Sequence, residues 1–435
     1  MRSAPRGTGC SSVCHVRSPN DSCWIYRRLT VSIADTTGRQ GSTAPSLDDD
    51  PFSSETLENP LPFQERLRES GPVVFLPRYN VHAVGRYDEV HSALSNWQGM
   101  TSGSGVGLNE PWRARGLLQT DPPEHDAPRE VLQTILSARA LRAMKDACTR
   151  QAETLIDNLL GGTAAGDAIE IDGYNDIAAV FPVNFFPDAS GIDEEQRENL
   201  VPYADHIFNA LGPRNDRVLQ GECRSEALAE WATAKCARDS LKPEGFGSEI
   251  WAAADRGDIM HELAPLLTRS LLSAGVDTTV YGLSAMLYGF ATHPDQWAAL
   301  RQNPNLARVA FDEALRWESP VQMLFRKTSV DVEISGTVIP AETRVLLCYA
   351  AANRDPRRWD NPDRFDLSRD PSGHVAFGMG IHQCVGQHAA RLQAECLLEV
   401  LVTRVKCVEL AAPVRRYHNN TLRGWKAMPL RLSLA

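Results

Sequence analysis

Residues 377–386 read FGMGIHQCVG and place Cys384 among three glycines, directly before an apolar helical pattern. Glycines let a loop fold tightly and let a flat group approach the backbone closely. The backbone N–H groups and dipole at the start of the following helix would stabilise a thiolate at Cys384. Such a thiolate can be the axial ligand of a haem iron. The alternative, an inert buried cysteine in a glycine-rich turn, is the usual state of an isolated cysteine, but the whole ten-residue pattern favours the haem ligand.

A second pattern, Glu313-Ala-Leu-Arg316, puts two opposite charges on one face of a predicted helix. Most such pairs are solvated and contribute little to stability. Here Trp359 and the stretch PRRWDNPDRF over 356–365 offer further arginine and aspartate partners. The combination predicts a buried charged network that holds the loop before Cys384.

The apolar stretch 261–290 predicts a long helix with polar residues near its middle. Gly275 and the Asp-Thr-Thr sequence after Val276 are poor helix formers, and a threonine can bond to a carbonyl one turn earlier and bend the helix. One face, about 12 Å long, carries Ser270, Ala274, Asp277 and Thr278. A bend here would open a groove for a small ligand; the alternative is a core helix that tolerates a polar patch.

The segment DPPEHDAPR over 121–129 begins with residues that start a helix. His125 and Arg129 then lie four positions apart on one face, which suits an anion such as a carboxylate. As an isolated pair they would more often belong to a solvated surface.

The remaining patterns predict a mainly α fold with a small β-rich region. VVFL and VHAVG within 73–85 predict a β-hairpin, and short β-prone runs return at 330–339 and 345–347. Helical spacing of apolar residues covers 86–96, 140–160, 196–211, 222–240, 261–290, 293–302, 305–317 and 385–404. Two stretches, 97–121 and 353–383, lack a regular pattern, and long loops of this kind are usually functional. We expect a disordered leader over 1–50 and a single domain over 51–435.

Composition and charge exclude several classes of function. Lys and Arg number 45 against 55 Asp and Glu, and the net charge of −10 would repel nucleic acid. The ten cysteines include no CxxC pair and no regular spacing, which argues against a disulfide framework or a zinc site and favours a reducing cytoplasm. No run reaches the roughly 18 apolar residues of a spanning helix, so we expect no membrane anchor.

Together these patterns resemble the cytochrome P-450 family of haem-thiolate monooxygenases, from about residue 55 to the end of the chain. The order is the same: an anion-binding helix, an Ala-Gly-x-Asp-Thr helix, a Glu-x-x-Arg helix and the Phe-Gly-x-Gly-x-His-x-Cys-x-Gly loop. The resemblance implies the P-450 fold, Cys384 as the iron ligand, and Asp277 and Thr278 in oxygen activation. It implies that haem b is bound by His125, Arg129, Ala274, Arg326, Phe377, Gly378, His382, Cys384 and Gly386.

The resemblance also implies dioxygen as co-substrate and electrons from a ferredoxin with its NAD(P)H-dependent reductase. A closer resemblance, carried by VVFLPRYNVHAVGRY (73–87), APLLTRSLLSAGVDTT (264–279) and ANRDPRRWDNPDR (352–364), is to the bacterial subfamily that oxidises para-substituted benzoates such as 4-methoxybenzoate. It implies O-demethylation or hydroxylation of a small aromatic acid whose carboxylate lies near Arg269 and Ser270. The pocket residues implied in this way are Phe208, Leu211, Leu324 and Leu108.

The chain departs from that subfamily at the expected pocket. Ser102-Gly-Ser104 stands where a basic residue is expected, and Leu211 and Leu324 stand where phenylalanines are expected. The alternatives are therefore a cinnamate-like substrate, a bulkier methoxy-hydroxy aromatic acid or a neutral methoxyphenol. Two other classes remain open: a peroxygenase driven by hydrogen peroxide, against which Asp277 and Thr278 argue, and a haem carrier or sensor without turnover.

Overall fold

The computed structural model describes residues 44–109 and 116–435. The α-helices are α1 (Ser54–Glu58), α2 (Leu61–Ser70), α3 (Tyr87–Ser95), α4 (Asp126–Ile135), α5 (Ala138–Arg142), α6 (Lys145–Leu160), α7 (Phe181–Ser190), α8 (Leu200–Ala210), α9 (Asp216–Lys235), α10 (Phe246–Asp255), α11 (Ala264–Gly275), α12 (Asp277–Thr292), α13 (Pro294–Gln302), α14 (Ala307–Glu318), α15 (Tyr349–Asn353) and α16 (Gln387–Arg404). A π-helical turn spans Gly173–Ala178. This mainly α architecture confirms the fold class that the sequence predicts.

The strands are β1 (Val74–Leu76), β2 (Val81–Val84), β3 (Met100–Thr101), β4 (Ala168–Asp172), β5 (Met323–Thr328), β6 (Val332–Ile334), β7 (Thr337–Ile339), β8 (Arg344–Cys348), β9 (Val405–Leu410), β10 (Arg415–His418), β11 (Arg423–Ala427) and β12 (Pro429–Leu434). They form a five-stranded sheet in the order β1-β2-β8-β5-β3, a three-stranded sheet β4-β12-β9, and the hairpins β6–β7 and β10–β11. The predicted hairpin is confirmed as β1 and β2, which pair antiparallel with Val74 opposite Ala83.

The five-stranded sheet positions side chains for the site through the alternation of strand β5. Leu324 packs with Leu347 of β8 in one apolar cluster, while Phe325 packs with Leu346 in another. Arg326 shares the side of Leu324 because it lies two residues further along the strand. Leu324 and Arg326 therefore lie on the same face of the sheet.

The helix predicted over 261–290 is two helices, α11 and α12, which meet at Val276. Almost every side chain of α12 is buried, and it packs against α14 and strand β9. The large core side chains around it include Phe290, Trp297 and Trp425. Most of α12 is therefore enclosed by the core, while the break at its start keeps one accessible side, at Ala274 and Thr278.

The first 43 residues of the predicted leader and residues 110–115 of the predicted loop lie outside the described residues. Residues 44–50, which the leader was expected to include, lie beside β1. There the Leu47 N–H donates to the Phe75 carbonyl at 2.9 Å and the Phe75 N–H donates to the Pro45 carbonyl at 2.8 Å. Across the described ranges, every helix is too short or too polar to cross a membrane.

Candidate active site

The loop before α16 closes on itself and sets Cys384 at the start of that helix. Gly378 and Gly380 have φ angles of 68° and 67°, which glycine adopts without strain. A Cβ on Gly380 would lie 2.7 Å from the carbonyl oxygen of Leu94. The Cys384 N–H donates to the Phe377 carbonyl at 2.7 Å. The glycines and this hydrogen bond together fix the backbone that carries the thiol.

The surroundings of Cys384 act on its charge in two directions. Burial raises the pKa of the Cys384 thiol, while the Gly386 N–H and the cations Arg129 and Arg391 favour the thiolate. Arg391 lies 4.7 Å from the centre of the Phe377 ring, on the first turns of α16. In the described part of the chain, no three His, Cys, Asp or Glu side chains converge in a way that could hold a metal ion. A single thiol is the protein donor that suits an iron already held by a porphyrin.

Four cationic or hydrogen-bond-donating side chains gather near this loop. The His125 and His382 ring centres are 4.8 Å apart. Burial first, and then Arg326 (4% exposed) and His125, lower the pKa of His382 to about 4. Among the described residues, the buried Nε2 of His125 and Nε of Arg129 have no hydrogen-bond partner.

A buried polar atom without a partner costs about 1–3 kcal/mol, so these atoms suit a buried anion. The propionate carboxylates of haem fit them. The structure thus brings together His125, Arg129, Arg326 and His382, as expected of a propionate-binding group.

The helix break places two neighbouring residues in different environments. Val276 has a ψ of −72°, and the Thr278 hydroxyl donates to the Ala274 carbonyl at 2.6 Å across the break. Ala274 is exposed and Thr278 is partly exposed, although Asp277 between them is only 1% exposed. Thr278 therefore faces the accessible side of the helix, and Asp277 faces the core.

The conformation of the break depends on Gly275. A Cβ at that position would lie 2.4 Å from Cε1 of Phe186, so a larger residue would displace either α7 or the break. Both oxygens of Asp277 lack a hydrogen-bond partner within the described ranges. Burial and the nearby Asp205 carboxylate raise the pKa of Asp277 well above its ordinary value.

Glu313 and Arg316 are fully buried and form a two-pronged ion pair, with Nε–Oε2 at 2.7 Å and Nη2–Oε1 at 2.8 Å. Arg316 also donates to the carbonyls of Asn353, Pro362 and Arg364 at 2.9–3.0 Å. These contacts tie α14 to the irregular stretch 353–383. That stretch leads directly into the Cys384 loop, so the pair supports the position of the thiol.

The loop over 101–107 is anchored by two residues that sequence reasoning missed. The Asp121 carboxylate accepts hydrogen bonds from the N–H groups of Ser102 (3.2 Å) and Gly103 (3.0 Å) and from the Thr101 hydroxyl. The Arg344 guanidinium donates to the carbonyls of Ser104 and Gly105. Neither residue has a local pattern that indicates this role, because both contacts join segments distant in sequence.

Three of the four expected pocket residues lie near one another. Leu211 and Leu324 pack in the same apolar cluster as Val106, and Phe208 lies one turn before Leu211 near the end of α8. Leu108 packs with Phe325 in the cluster on the other side of β5. Its N–H nevertheless donates to the Leu211 carbonyl at 2.8 Å. Leu108 thus contributes to the wall through its backbone.

The end of α8 is held by the segment before β11 as well. The Thr421 hydroxyl donates to the Phe208 carbonyl at 2.8 Å. The Asn420 amide donates to the Asn209 carbonyl at 2.8 Å. Backbone groups of the pocket wall are therefore fixed from two separate loops.

The two residues expected near a substrate carboxylate point to different neighbours. The Arg269 guanidinium donates to the Thr233 hydroxyl of α9 at 3.4 Å. The Ser270 hydroxyl donates to the Leu266 carbonyl at 2.8 Å, and a Cβ on Gly116 would lie 3.2 Å from its oxygen. Ser270 thus adjoins the loop that contains Gly116, while Arg269 contacts α9.

Comparison with known proteins identifies the family. Residues 260–422 match the sequence profile of cytochrome P-450. The chain is 46% identical to the cytochrome P-450 CYP199A2 of Rhodopseudomonas palustris, over 92% of this chain and 97% of the relative. It is 31% identical to the P-450 monooxygenase PikC of Streptomyces venezuelae, over 90% and 96% of the two chains.

A solved structure of the cytochrome P-450 CREJ in complex with (4-ethylphenyl) dihydrogen phosphate superposes with a TM-score of 0.79 at 26% identity. The superposition covers 88% of this chain and 98% of that one. The similarity extends along nearly the whole chain, and it agrees with the single thiol and the unpaired donors described above. The chain belongs to the cytochrome P-450 family of haem-dependent monooxygenases.

Proposed function

We propose that this monooxygenase O-demethylates or hydroxylates a small para-substituted or methoxylated aromatic acid. The observation that carries the proposal is the arrangement along the accessible side of α11 and α12. Ser270 lies at one end of it, beside Gly116, and Thr278 lies two turns further on. A ring whose polar end bonds to Ser270 would direct its para substituent towards Thr278.

The apolar side chains nearby support an aromatic substrate. Phe208 offers a ring, and Leu211 and Leu324 offer branched aliphatic surface in contact with Val106. The sequence motifs shared with the subfamily that oxidises para-substituted benzoates support the same substrate class. The CREJ neighbour was solved with a para-substituted phenyl ring that carries an acidic group, which also agrees with an aromatic acid.

Haem b, when bound, supplies the activation of dioxygen that allows one oxygen atom to be inserted into a C–H bond. We assign Cys384 as the iron ligand, since it lies at the start of α16 and the N–H of Gly386 favours its thiolate. His125, Arg129, Arg326 and His382 would bind its propionates. Phe377, Gly378, Gly386 and Ala274 would adjoin the haem, as their places in the family motifs imply.

Thr278 and Asp277 each hold a proton, at different places in the structure. The Thr278 hydroxyl lies on the accessible side of the helix break and holds a proton there. Asp277 lies in the core and holds the proton that replaces it. This arrangement favours dioxygen over hydrogen peroxide as the oxidant, because an enzyme supplied with peroxide has less need of a proton supply.

Electrons are proposed to come from a ferredoxin and its NAD(P)H-dependent reductase in the cytoplasm. The docking face would be the side of the protein that carries Cys384, where Arg391 and Arg129 act on the thiol.

A neutral methoxyphenol is the second candidate substrate, and the position of Arg269 favours it. The guanidinium contacts Thr233 rather than the loop beside Ser270. In addition, the N–H groups of Ser102 and Gly103 already donate to Asp121. A phenol would need only the Ser270 hydroxyl at its polar end.

The test is a titration of the ferric holoenzyme with 4-methoxybenzoate, vanillate, 4-methoxycinnamate and guaiacol. Loss of water from the iron on substrate binding shifts the Soret band from its low-spin to its high-spin position. We expect the acids to produce the shift and to yield product with ferredoxin, reductase and NAD(P)H. A shift with guaiacol alone would exclude an aromatic acid as the substrate, and the monooxygenase assignment would still stand.

Two variants assign the polar end of the substrate. Ser270→Ala is expected to weaken acid binding by roughly 10- to 150-fold, because one hydrogen bond to a charged group contributes about 1.5–3 kcal/mol. Arg269→Ala tests the electrostatic contribution of the guanidinium to binding of the acid. Arg256→Ala, which removes an exposed arginine paired with Asp258, is its matched control. Equal affinity in Ser270→Ala and wild type would contradict the proposed orientation.

A further inference from the structure

The core beside the helix break contains an acid with no protein partner. Asp277 is 1% exposed, and neither of its oxygens has a hydrogen-bond partner in the described part of the chain. An isolated buried carboxylate is costly, and in practice such a group takes up a proton or bonds to internal water. Asp277 is therefore a buried proton store one residue away from Thr278.

Two tyrosines adjoin this acid. Tyr281 lies one helical turn after Asp277 on the same face of α12 and is 2% exposed. Its ring stacks on Tyr174 of the π-helical turn, with centres 6.2 Å apart and planes at 12°. Burial first, and then the nearby Tyr174 hydroxyl, raise the pKa of Tyr281 well above its ordinary value. A Cβ on Gly424 would lie 2.1 Å from the Tyr281 ring, so strand β11 holds that ring in place.

A second pair continues from these tyrosines to the surface. Tyr417 of β10 packs in the same apolar cluster as Tyr174 and Tyr281, and burial together with the nearby Asp205 carboxylate of α8 raises the pKa of its hydroxyl. The same carboxylate accepts from the Asn419 amide at 2.8 Å and the Asn209 amide at 3.1 Å. Tyr417 and Asp205 are both partly exposed. The four hydroxyl and carboxyl groups thus extend from solvent to the interior.

The titratable groups that act on Asp277 lie on four elements. Its own helix supplies Tyr281, the π-helical turn Tyr174, strand β10 Tyr417, and helix α8 Asp205 with His206 beside it. Burial raises the pKa of Asp205, and burial with the nearby Asp277 raises the pKa of Tyr174 to about 12. These groups therefore stay protonated near neutral pH more readily than in water, and each can pass a proton on.

We propose that Asp205, Tyr417, Tyr174 and Tyr281 form a route that carries protons from solvent to Asp277, with internal water completing the contacts between these side chains and the contact to its carboxyl. This inference rests on the proposed role of Asp277 in delivering protons to Thr278. The four residues are positioning residues, because they act on the reaction only through Asp277.

The number of protons on the route is the same before and after each transfer. When the Asp277 O–H bond breaks towards Thr278, a new O–H bond forms with a proton from the internal water. The water recovers its proton from a tyrosine hydroxyl. Each hydroxyl is reprotonated by the next, and Asp205 takes the last proton from solvent. One proton enters for each proton delivered, and the route itself is unchanged.

The experiment compares the holoenzyme with Tyr174→Phe and Tyr417→Phe, which remove only a hydroxyl. Tyr288→Phe is the matched control, because Tyr288 also lies on α12 but stacks on Trp317. The first readout is the infrared band of a protonated carboxyl in the resting ferric protein, assigned by its loss in Asp277→Asn. We expect the band in wild type and in Tyr288→Phe at one position, and a shift in both test variants.

The second readout is coupling, measured as product and hydrogen peroxide formed per NAD(P)H, together with the solvent isotope effect on product formation. We expect the test variants to lose coupling and to show a larger isotope effect, while the control resembles wild type. The route is overturned if the wild type lacks the band, if the band or the coupling of the test variants is unchanged, or if the control changes as much. Intact coupling in Asp277→Asn would instead reject the proposed role of Asp277 itself.

Discussion

Oδ1 of Asp121 lies 3.5 Å from Nε2 of His382. The same carboxylate accepts hydrogen bonds from the backbone N–H groups of Ser102 and Gly103. One side chain therefore links the loop beside the apolar pocket to the loop that carries Cys384. The proposed substrate pocket and the proposed propionate site are joined through it.

Replacing Asp121 tests this link. Asp121→Asn removes the negative charge and one acceptor oxygen, and hydrogen bonds to charged groups contribute about 1.5–3 kcal/mol each. We expect faster hydrogen–deuterium exchange at the Ser102 and Gly103 amides and weaker substrate binding in the Soret titration. Asp146→Asn, at an exposed position on α6, controls for loss of charge. Unchanged protection of the two amides would disprove the anchoring role.

The thiol assignment makes a spectroscopic prediction. Cys384→Ala removes the proposed iron ligand and should abolish the thiolate-type spectrum of the reduced carbon monoxide complex completely. Cys223→Ala, which alters an exposed cysteine of α9, should leave the spectrum intact. Retention of that spectrum in Cys384→Ala would refute the assignment.

The hydroxyl at the helix break makes a prediction about coupling. Thr278→Ala removes the group that donates to the Ala274 carbonyl at 2.6 Å, and we expect about a tenfold fall in product per NAD(P)H with a matching rise in peroxide. Thr278→Ser keeps the hydroxyl and should retain most of the coupling. Equal coupling in the alanine variant and the wild type would exclude Thr278 from the reaction.

A buried ion network makes a prediction about pH. Burial alone would raise the pKa of Glu318, but Arg416, Arg423 and Arg354 outweigh it and lower the pKa to about 2. Because the folded pKa lies below the unfolded value, this stabilisation is complete above pH about 4.5 and is lost as the pH falls towards about 2. At about 1.4 kcal/mol per pKa unit, it amounts to roughly 3 kcal/mol.

The variant Glu318→Gln should lower the free energy of unfolding by about 3–5 kcal/mol near neutral pH, because three buried arginines lose their counterion. The difference from wild type should shrink on acidification, as measured by urea unfolding across the pH range. Glu399→Gln, which removes a surface partner of Lys145, should change stability little. A difference that stays constant from neutral to acid pH would contradict the network.

Local patterns were sufficient for the features that neighbouring residues determine. The glycines around Cys384, the hairpin of β1 and β2, and the polar interruption at Gly275 each act within a few residues. In each case the physical cause, a positive φ, an alternation or a weak helix former, is visible in the sequence itself. The interruption proved to be a full break between α11 and α12 rather than a bend in one helix.

Features that depend on distant partners could not be predicted in this way. Strand β4 pairs with β12, more than 250 residues later, and neither segment shows which partner it has. Helix α7 contains Pro187 in its interior, which argues against a helix, but burial of Phe181 and Phe185 outweighs it. The Asp121 anchor and the Tyr174–Tyr281 stack likewise arise only after folding.

The end of α8 is held by hydrogen bonds to two of its backbone carbonyls. The Leu108 N–H donates to the carbonyl of Leu211, and the Thr421 hydroxyl donates to the carbonyl of Phe208. Side chains at these two positions can therefore be exchanged without loss of the bonds that hold the wall. A replacement at 208 or 211 would therefore reshape the proposed pocket while Asp277 and Thr278 at the helix break stay unchanged. The same separation makes these positions natural starting points for engineering the enzyme towards other aromatic compounds.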